Sequence, residues 1–140
     1  MNTSHAPLVT RRDVARLEQS VLDSSRRRGA AAVALRALEE RLEAAIVVAS
    51  AEIAADVVTM NSRVTLADVA GGRRQTVTLS YPQDADAERA RVSVLAPLGR
   101  ALLGARVDET VTVELPGAAP RELRVVAIEY QPEAAGDFEL

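Results

Sequence analysis

The chain has no cysteine, no tryptophan and no lysine, and only one histidine. Without thiols, disulfides and thiolate metal sites are excluded; one imidazole near the start, His5, cannot supply a zinc ligand set and has no expected role in a tail. Without lysine, a G-x-x-x-x-G-K phosphate loop fails at its central residue. Three aromatic residues, Tyr81, Tyr130 and Phe138, are too few to wall an aromatic substrate pocket. No apolar run reaches the roughly 18 to 20 residues of a membrane span, and MNTSHAPLV lacks the basic-then-apolar order of a secretory leader. The expectation is a soluble, cytoplasmic protein without metal or cofactor, and not an enzyme.

What is present is 140 residues with a net charge of −3 and a pI near 5.2, enough for one domain or two small ones. The acidic balance argues against direct, sequence-specific DNA binding, so any link to nucleic acid should run through a protein partner. All seventeen cations are arginine, and with the abundant alanine this reads as a G+C-rich genome more than as a mechanism.

In chain order, Thr10 with Asp13 three residues on forms a capping box, and Val9 can close on Val14 as a staple. Val14, Leu17 and Val21 make one narrow apolar seam, and Leu35, Leu38 and Leu42 make a second beyond Gly29. Two short antiparallel helices with a turn between Asp23 and Ala30 would zip these seams together, projecting ~20 Å at ~1.5 Å per residue. From Ala44 to Met60, alanines favour more helix and the valine pairs favour extended chain; a break near Ile46 is expected. Val64 and Leu66 open a strand, Gly71-Gly72 turns it, and Val77, Leu79 and Tyr81 share a face of the next. Asp84, Asp86 and Glu88 mark an exposed loop after Pro82. Leu123–Tyr130 is the longest β-like run, and Phe138 is expected to pack in a tail laid back on the domain.

Between these lies VLAPLGRALLGARVDE, Val94–Glu109. Pro97 suits the first turn of a short helix and Gly104 its end, with alternating strands at Arg91–Val94 and Thr110–Leu115 on either side. The order strand, loop, short helix, strand resembles the C-terminal domain of the Gre transcript-cleavage factors, whose pattern there is S-P-(hydrophobic)-G-x-A-L-(hydrophobic)-G-x-x-V-(acid). Asp56–Val64 (DVVTMNSRV), Tyr81–Asp86 (YPQDAD) and Tyr130–Phe138 (YQPEAAGDF) extend the likeness to the Rnk-type branch, regulators of nucleoside diphosphate kinase with a shortened coiled coil.

The resemblance implies an α+β fold: a short N-terminal antiparallel coiled coil at 1–45, a linker at 46–60, and an FKBP-like β-sheet domain with one short helix at 61–140. It implies a bacterial protein, monomeric by default, that binds RNA polymerase near the channel feeding its active site and influences nucleotide metabolism. Gre factors use acidic residues at the coiled-coil tip to help hold a catalytic magnesium. Here the tip offers one carboxylate, Asp23, beside Arg26, Arg27 and Arg28, so transcript cleavage is not carried over. The three arginines would contact acidic polymerase surface or RNA phosphate, or else simply solvate the helix end.

The matching docking loop is Leu95, Ala96, Pro97 and Leu98, with alanine where many relatives carry serine; the two leucines could equally be core. A protein-interaction module acting directly on nucleoside diphosphate kinase or another cytoplasmic partner is the competing reading, since a docking surface carries no motif that names its partner.

Overall fold

The computed structural model describes residues 6–23, 30–115 and 117–137. Among these, no helix is long and apolar enough to cross a membrane. Arg26, Arg27, Arg28 and Phe138, singled out in the sequence, lie outside the described residues.

Strand β1 (Leu8–Thr10) leads directly into helix α1 (Arg11–Asp23). The start is set by Thr10, whose hydroxyl accepts the Asp13 backbone N–H at 3.0 Å. The expected reciprocal half of the capping box is absent. The Asp13 carboxylate instead leaves its own helix and accepts the Met60 N–H at 3.1 Å. Helix α2 (Ala30–Glu43) returns with Leu35 and Leu38 buried and Leu42 partly buried, the positions of the second seam. It stops before Ile46, where β2 (Ile46–Val48) pairs in parallel with β1.

The sheet has five strands: β3 (Arg63–Asp68), β4 (Arg74–Ser80), β5 (Arg91–Ser93), β6 (Thr110–Val113) and β7 (Arg121–Tyr130). Their spatial order is β5-β4-β3-β7-β6, antiparallel throughout except for the parallel β4/β5 pair. Two register shifts in the β3/β7 ladder curl it, because each extra residue bends its strand and increases local twist. Among the described residues, one core joins the helical part to the sheet. Val9, Leu17 and Leu38 from the helical part join Val64, Leu66, Val77, Leu79, Leu123 and Val125 of the sheet.

Two features differ from the sequence reading. Residues 46–60, read as a linker, supply β2 and three buried apolar side chains, Val57, Val58 and Met60. Their apolarity draws them in, and Val58 exchanges backbone hydrogen bonds with Gly104 and Ala105. The second difference is a further short helix, α4 (Pro132–Ala135), beyond the one expected. Gln131 caps it, accepting the Ala134 N–H, while its amide donates to the carbonyls of Ala54 and Val57 at 2.7 and 2.8 Å.

The short helix foreseen in the central stretch is α3 (Pro97–Leu102). It lies so close on β5 that a Cβ on Gly99 would stand 2.0 Å from the Ser93 carbonyl oxygen. Gly104, at φ +82°, leaves room for Pro7 in the same way.

Asp13 is 3% exposed, and burial pushes its carboxyl up to about 6. The Met60 N–H opposes that shift, as do Thr10 and Arg16, whereas the nearby Glu133 adds to it. Because the folded carboxyl holds its proton more tightly than the unfolded one, this group stabilises the fold fully only below about pH 4. That stability is lost as pH rises through about 6, a difference of roughly 2–3 kcal/mol. Asp13→Asn keeps an acceptor for Met60 but cannot ionise. Urea unfolding of both proteins should show the variant gaining on the parent between about pH 4 and pH 7; parallel pH profiles would refute the assignment. Gly99→Ala should lower stability by about 1–3 kcal/mol in the same assay, because the helix must lift from β5.

Candidate functional site

The candidate site is the turn from β5 into α3. Ser93 organises it: its hydroxyl accepts the Leu95 N–H at 3.0 Å and its carbonyl accepts the Ala96 N–H at 3.0 Å. Pro97 then starts the helix with φ already fixed and no N–H to satisfy. Ala96 occupies the cap position without a side-chain hydrogen bond; Ser93, three residues upstream, orders the turn leading into the helix through the Leu95 and Ala96 N–H groups. The Leu95 carbonyl is taken by an Arg100 guanidinium N–H, tying the loop to the helix it precedes. All four of Leu95, Ala96, Pro97 and Leu98 are half-buried. Leu95 and Leu98 pack against the core with part of their surface and leave the rest to solvent.

The far end of α3 is held from the helical part. Arg41 of α2 donates through Nε and Nη2 to the Leu103 carbonyl at 3.0 and 2.6 Å, and through Nη2 to the Ala101 carbonyl at 3.2 Å. A cation on the free carbonyls of a helix end is favoured by hydrogen bonding and by the helix dipole together. Burial lowers the affinity of Arg41 for its proton, against the pull of Glu109, yet a guanidinium stays charged at any physiological pH.

Between α2 and α3 opens a cleft of about 390 Å³ whose walls include Pro7, Ala37, Glu40, Arg41, Pro97, Arg100, Ala101 and Glu114. Pro97 is therefore both part of the turn and part of the cleft wall. The surface is apolar at the turn and carries both signs of charge beside it, which suits a protein partner. It brings together no nucleophile with a base. Among the described residues, no group of three or more His, Cys, Asp or Glu could hold a metal ion.

The structure thus places the four predicted loop residues on one rigid turn. It does not relate them to Arg26, Arg27 and Arg28, which fall outside the described residues. Arg41, Ser93 and Arg100 were not foreseen. Ser93 and Arg100 adjoin the motif and could have been suspected from it. Arg41 lies 62 positions from the carbonyl it binds, and nothing local marks it. Asp86, in the acidic loop expected to be exposed, accepts the Glu88 N–H, and the exposed Asp108 pairs with Arg124 at 3.0 Å.

Comparison with known proteins follows this geometry. The family model described as "Transcription elongation factor, GreA/GreB, C-term" matches residues 53–130, which contain β3 to β7, α3 and the Leu95–Leu98 turn. A protein named regulator of nucleoside diphosphate kinase, from Escherichia coli (strain K12), is 44% identical over 102 residues, covering 73% of this chain and 75% of its own. Transcription elongation factor GreA of Syntrophomonas wolfei is 34% identical over 92 residues, covering 66% of this chain and 57% of its own. Among solved structures, the prokaryotic transcription elongation factor GreA/GreB from Nitrosomonas europaea superposes with a TM-score of 0.72 at 31% identity, over 91% of this chain and 100% of that one. By sequence over most of its length and by fold, the chain belongs to the GreA/GreB family of transcription elongation factors.

Proposed function

We propose that the protein is a non-enzymatic, cytoplasmic regulator that docks as a monomer on RNA polymerase near its secondary channel, without stimulating transcript cleavage. In this reading α1 and α2 form a short antiparallel coiled coil, the sheet is the FKBP-like docking domain, and the Leu95–Leu98 turn makes the contact. The observation that carries it is the turn itself. Three hydrogen bonds from Ser93 and Arg100 fix it before any partner arrives, so its half-exposed leucines and proline lose little conformational entropy on binding.

The sequence between the two helices supports the absence of cleavage. Magnesium needs hard oxygen ligands in near-octahedral array, and Asp23 is the one carboxylate offered there, followed within five residues by Arg26, Arg27 and Arg28. Those arginines would face acidic polymerase surface or RNA phosphate. An influence on nucleoside diphosphate kinase and nucleotide metabolism, as the name of the E. coli relative states for that protein, would follow from altered transcription.

The test is binding to bacterial core RNA polymerase with a Gre factor as competitor and a nascent-transcript cleavage readout. Competitive binding without cleavage is expected. Cleavage would overturn the reading of the tip; absence of binding would move the search to nucleoside diphosphate kinase itself. Leu95→Asp should weaken polymerase binding at least ~10-fold, the effect of losing a central contact, while the urea midpoint stays within about 1 kcal/mol of the parent. Unfolding of this variant would instead assign Leu95 to the core. Replacing Arg26, Arg27 and Arg28 together by alanine should weaken binding at low salt and matter less as salt rises.

A further inference from the structure

Away from the Leu95–Leu98 turn and the helical junction lies a positively charged cluster. At the turn joining β3 to β4, Arg73, Arg74, Gln75 and Arg121 line a cleft of about 310 Å³. Strand register explains why they meet. Gln75 pairs with Leu66 and Arg121 with Val113, and both partners are buried in the core. Paired residues point to the same face of a sheet, so Gln75 and Arg121 continue the core face past the point where its apolar side chains end. Arg74 lies opposite Ala67 on the other face. There β4 has a free edge, because β5 pairs only with Thr78–Ser80, and the long Arg74 side chain reaches the cleft from that edge. Glu122 alternates away from Arg121 and does not line it.

The charge in this cluster is unbalanced. Asp68 is its one carboxylate, with Oδ2 at 3.2 Å from Arg121 Nη2 and Oδ1 accepting the Ala70 N–H. Among the described residues, Arg73 and Arg74 have no ion-pair partner. Two positive charges in excess therefore converge on one cleft of a chain whose net charge is −3.

We propose that this cleft binds a short chain of phosphoryl groups, of the di- or triphosphate class, either free or as the tail of a nucleotide. Guanidinium groups match phosphoryl oxygens in bidentate geometry, and three of them set around one cleft call for an anion with more than one phosphoryl group. The Gln75 amide adds an uncharged donor. Gly71 and Gly72 leave the neighbouring turn open, with no atom within 4 Å of where a Cβ would stand. No aromatic side chain lines the cleft, so a base has nothing to stack on and recognition stops at the phosphates. A longer nucleic acid would need a basic stripe to follow its backbone, and three arginines at one turn of an acidic chain do not provide one.

The experiment is calorimetric titration of the full chain at low salt, without magnesium, using inorganic tripolyphosphate, a nucleoside triphosphate, orthophosphate and a single-stranded RNA of about a dozen nucleotides. Tripolyphosphate and the nucleoside triphosphate should bind with similar affinity, and orthophosphate and the RNA at least ~10-fold more weakly. The double variant Arg73→Gln/Arg74→Gln and the charge insertion Gln75→Glu should each lower tripolyphosphate affinity at least ~10-fold, while Arg89→Gln, at another exposed arginine, should not. All four positions are exposed, so the folded state should survive in each variant. Equal binding of orthophosphate, tighter binding of RNA, or unchanged affinity in both cleft variants would each overturn the proposal.

Discussion

Helix α3 can lie where it does only because Gly99 has no side chain. With the Ser93 carbonyl 2.0 Å from where a Cβ would stand, any other residue would tilt the helix away from β5. Much else depends on that contact. It places the Leu95 carbonyl within reach of Arg100 and the start of the helix directly after the Ser93 turn. At the other end it presents the carbonyls of Ala101 and Leu103 to Arg41, and Gly104 to Pro7. The two glycines thus serve two close approaches, one to the sheet and one to the N-terminal segment, and the helix between them is short because both ends are committed.

The helical part is joined to the sheet by two ionic side chains with opposite energetics. Arg41 reaches carbonyls that would otherwise be unsatisfied at a helix end, so its burial satisfies groups that need a donor. Asp13 satisfies the Met60 N–H, but its charge is nearly removed from water, with Glu133 adding repulsion and Arg16 offsetting part of it. The neighbouring Tyr81 hydroxyl is buried without a hydrogen-bond partner among the described residues, while the Arg16 guanidinium lies 4.7 Å above the Tyr81 ring. This corner combines packing with the Asp13 contacts to Met60 and Thr10. The α2–α3 contact is held by directed hydrogen bonds.

Much of this was legible in the sequence because it is local. Thr10 marked the start of α1, Leu17 of the first seam and Leu35 and Leu38 of the second marked buried positions, Gly71-Gly72 marked the β3–β4 turn, and Pro97 and Gly104 bracketed α3. What could not be read was which distant group each polar side chain would meet. A capping-box pattern says that Asp13 lies near a helix start, but not that its carboxylate turns to a backbone N–H 47 positions away. Periodicity likewise gives no sign that Leu8–Thr10 pairs in parallel with Ile46–Val48, since register between remote segments leaves no local trace. Helix α4 did carry a signal, Gln131 before Pro132 and Glu133, in a segment too short for periodicity to register. The four residues of the Leu95–Leu98 turn could be named from the family pattern; Ser93 and Arg100 adjoin that pattern, but which groups they would bind could not be read from it.

Under the proposed docking role, rigidity is what would let a turn of four small or apolar residues serve as the contact. A flexible loop of the same composition would bury similar area but would first have to be ordered, and that loss rises with every rotamer-rich side chain immobilised. Here the ordering is already supplied by Ser93 and Arg100 within the folded chain, and in the proposed role Arg100 and Glu114 of the cleft beside the turn would select a partner without adding much to its affinity. Under the same proposal, a chain can keep the family fold while the sequence between its helices carries Arg26, Arg27 and Arg28 beside one carboxylate, Asp23.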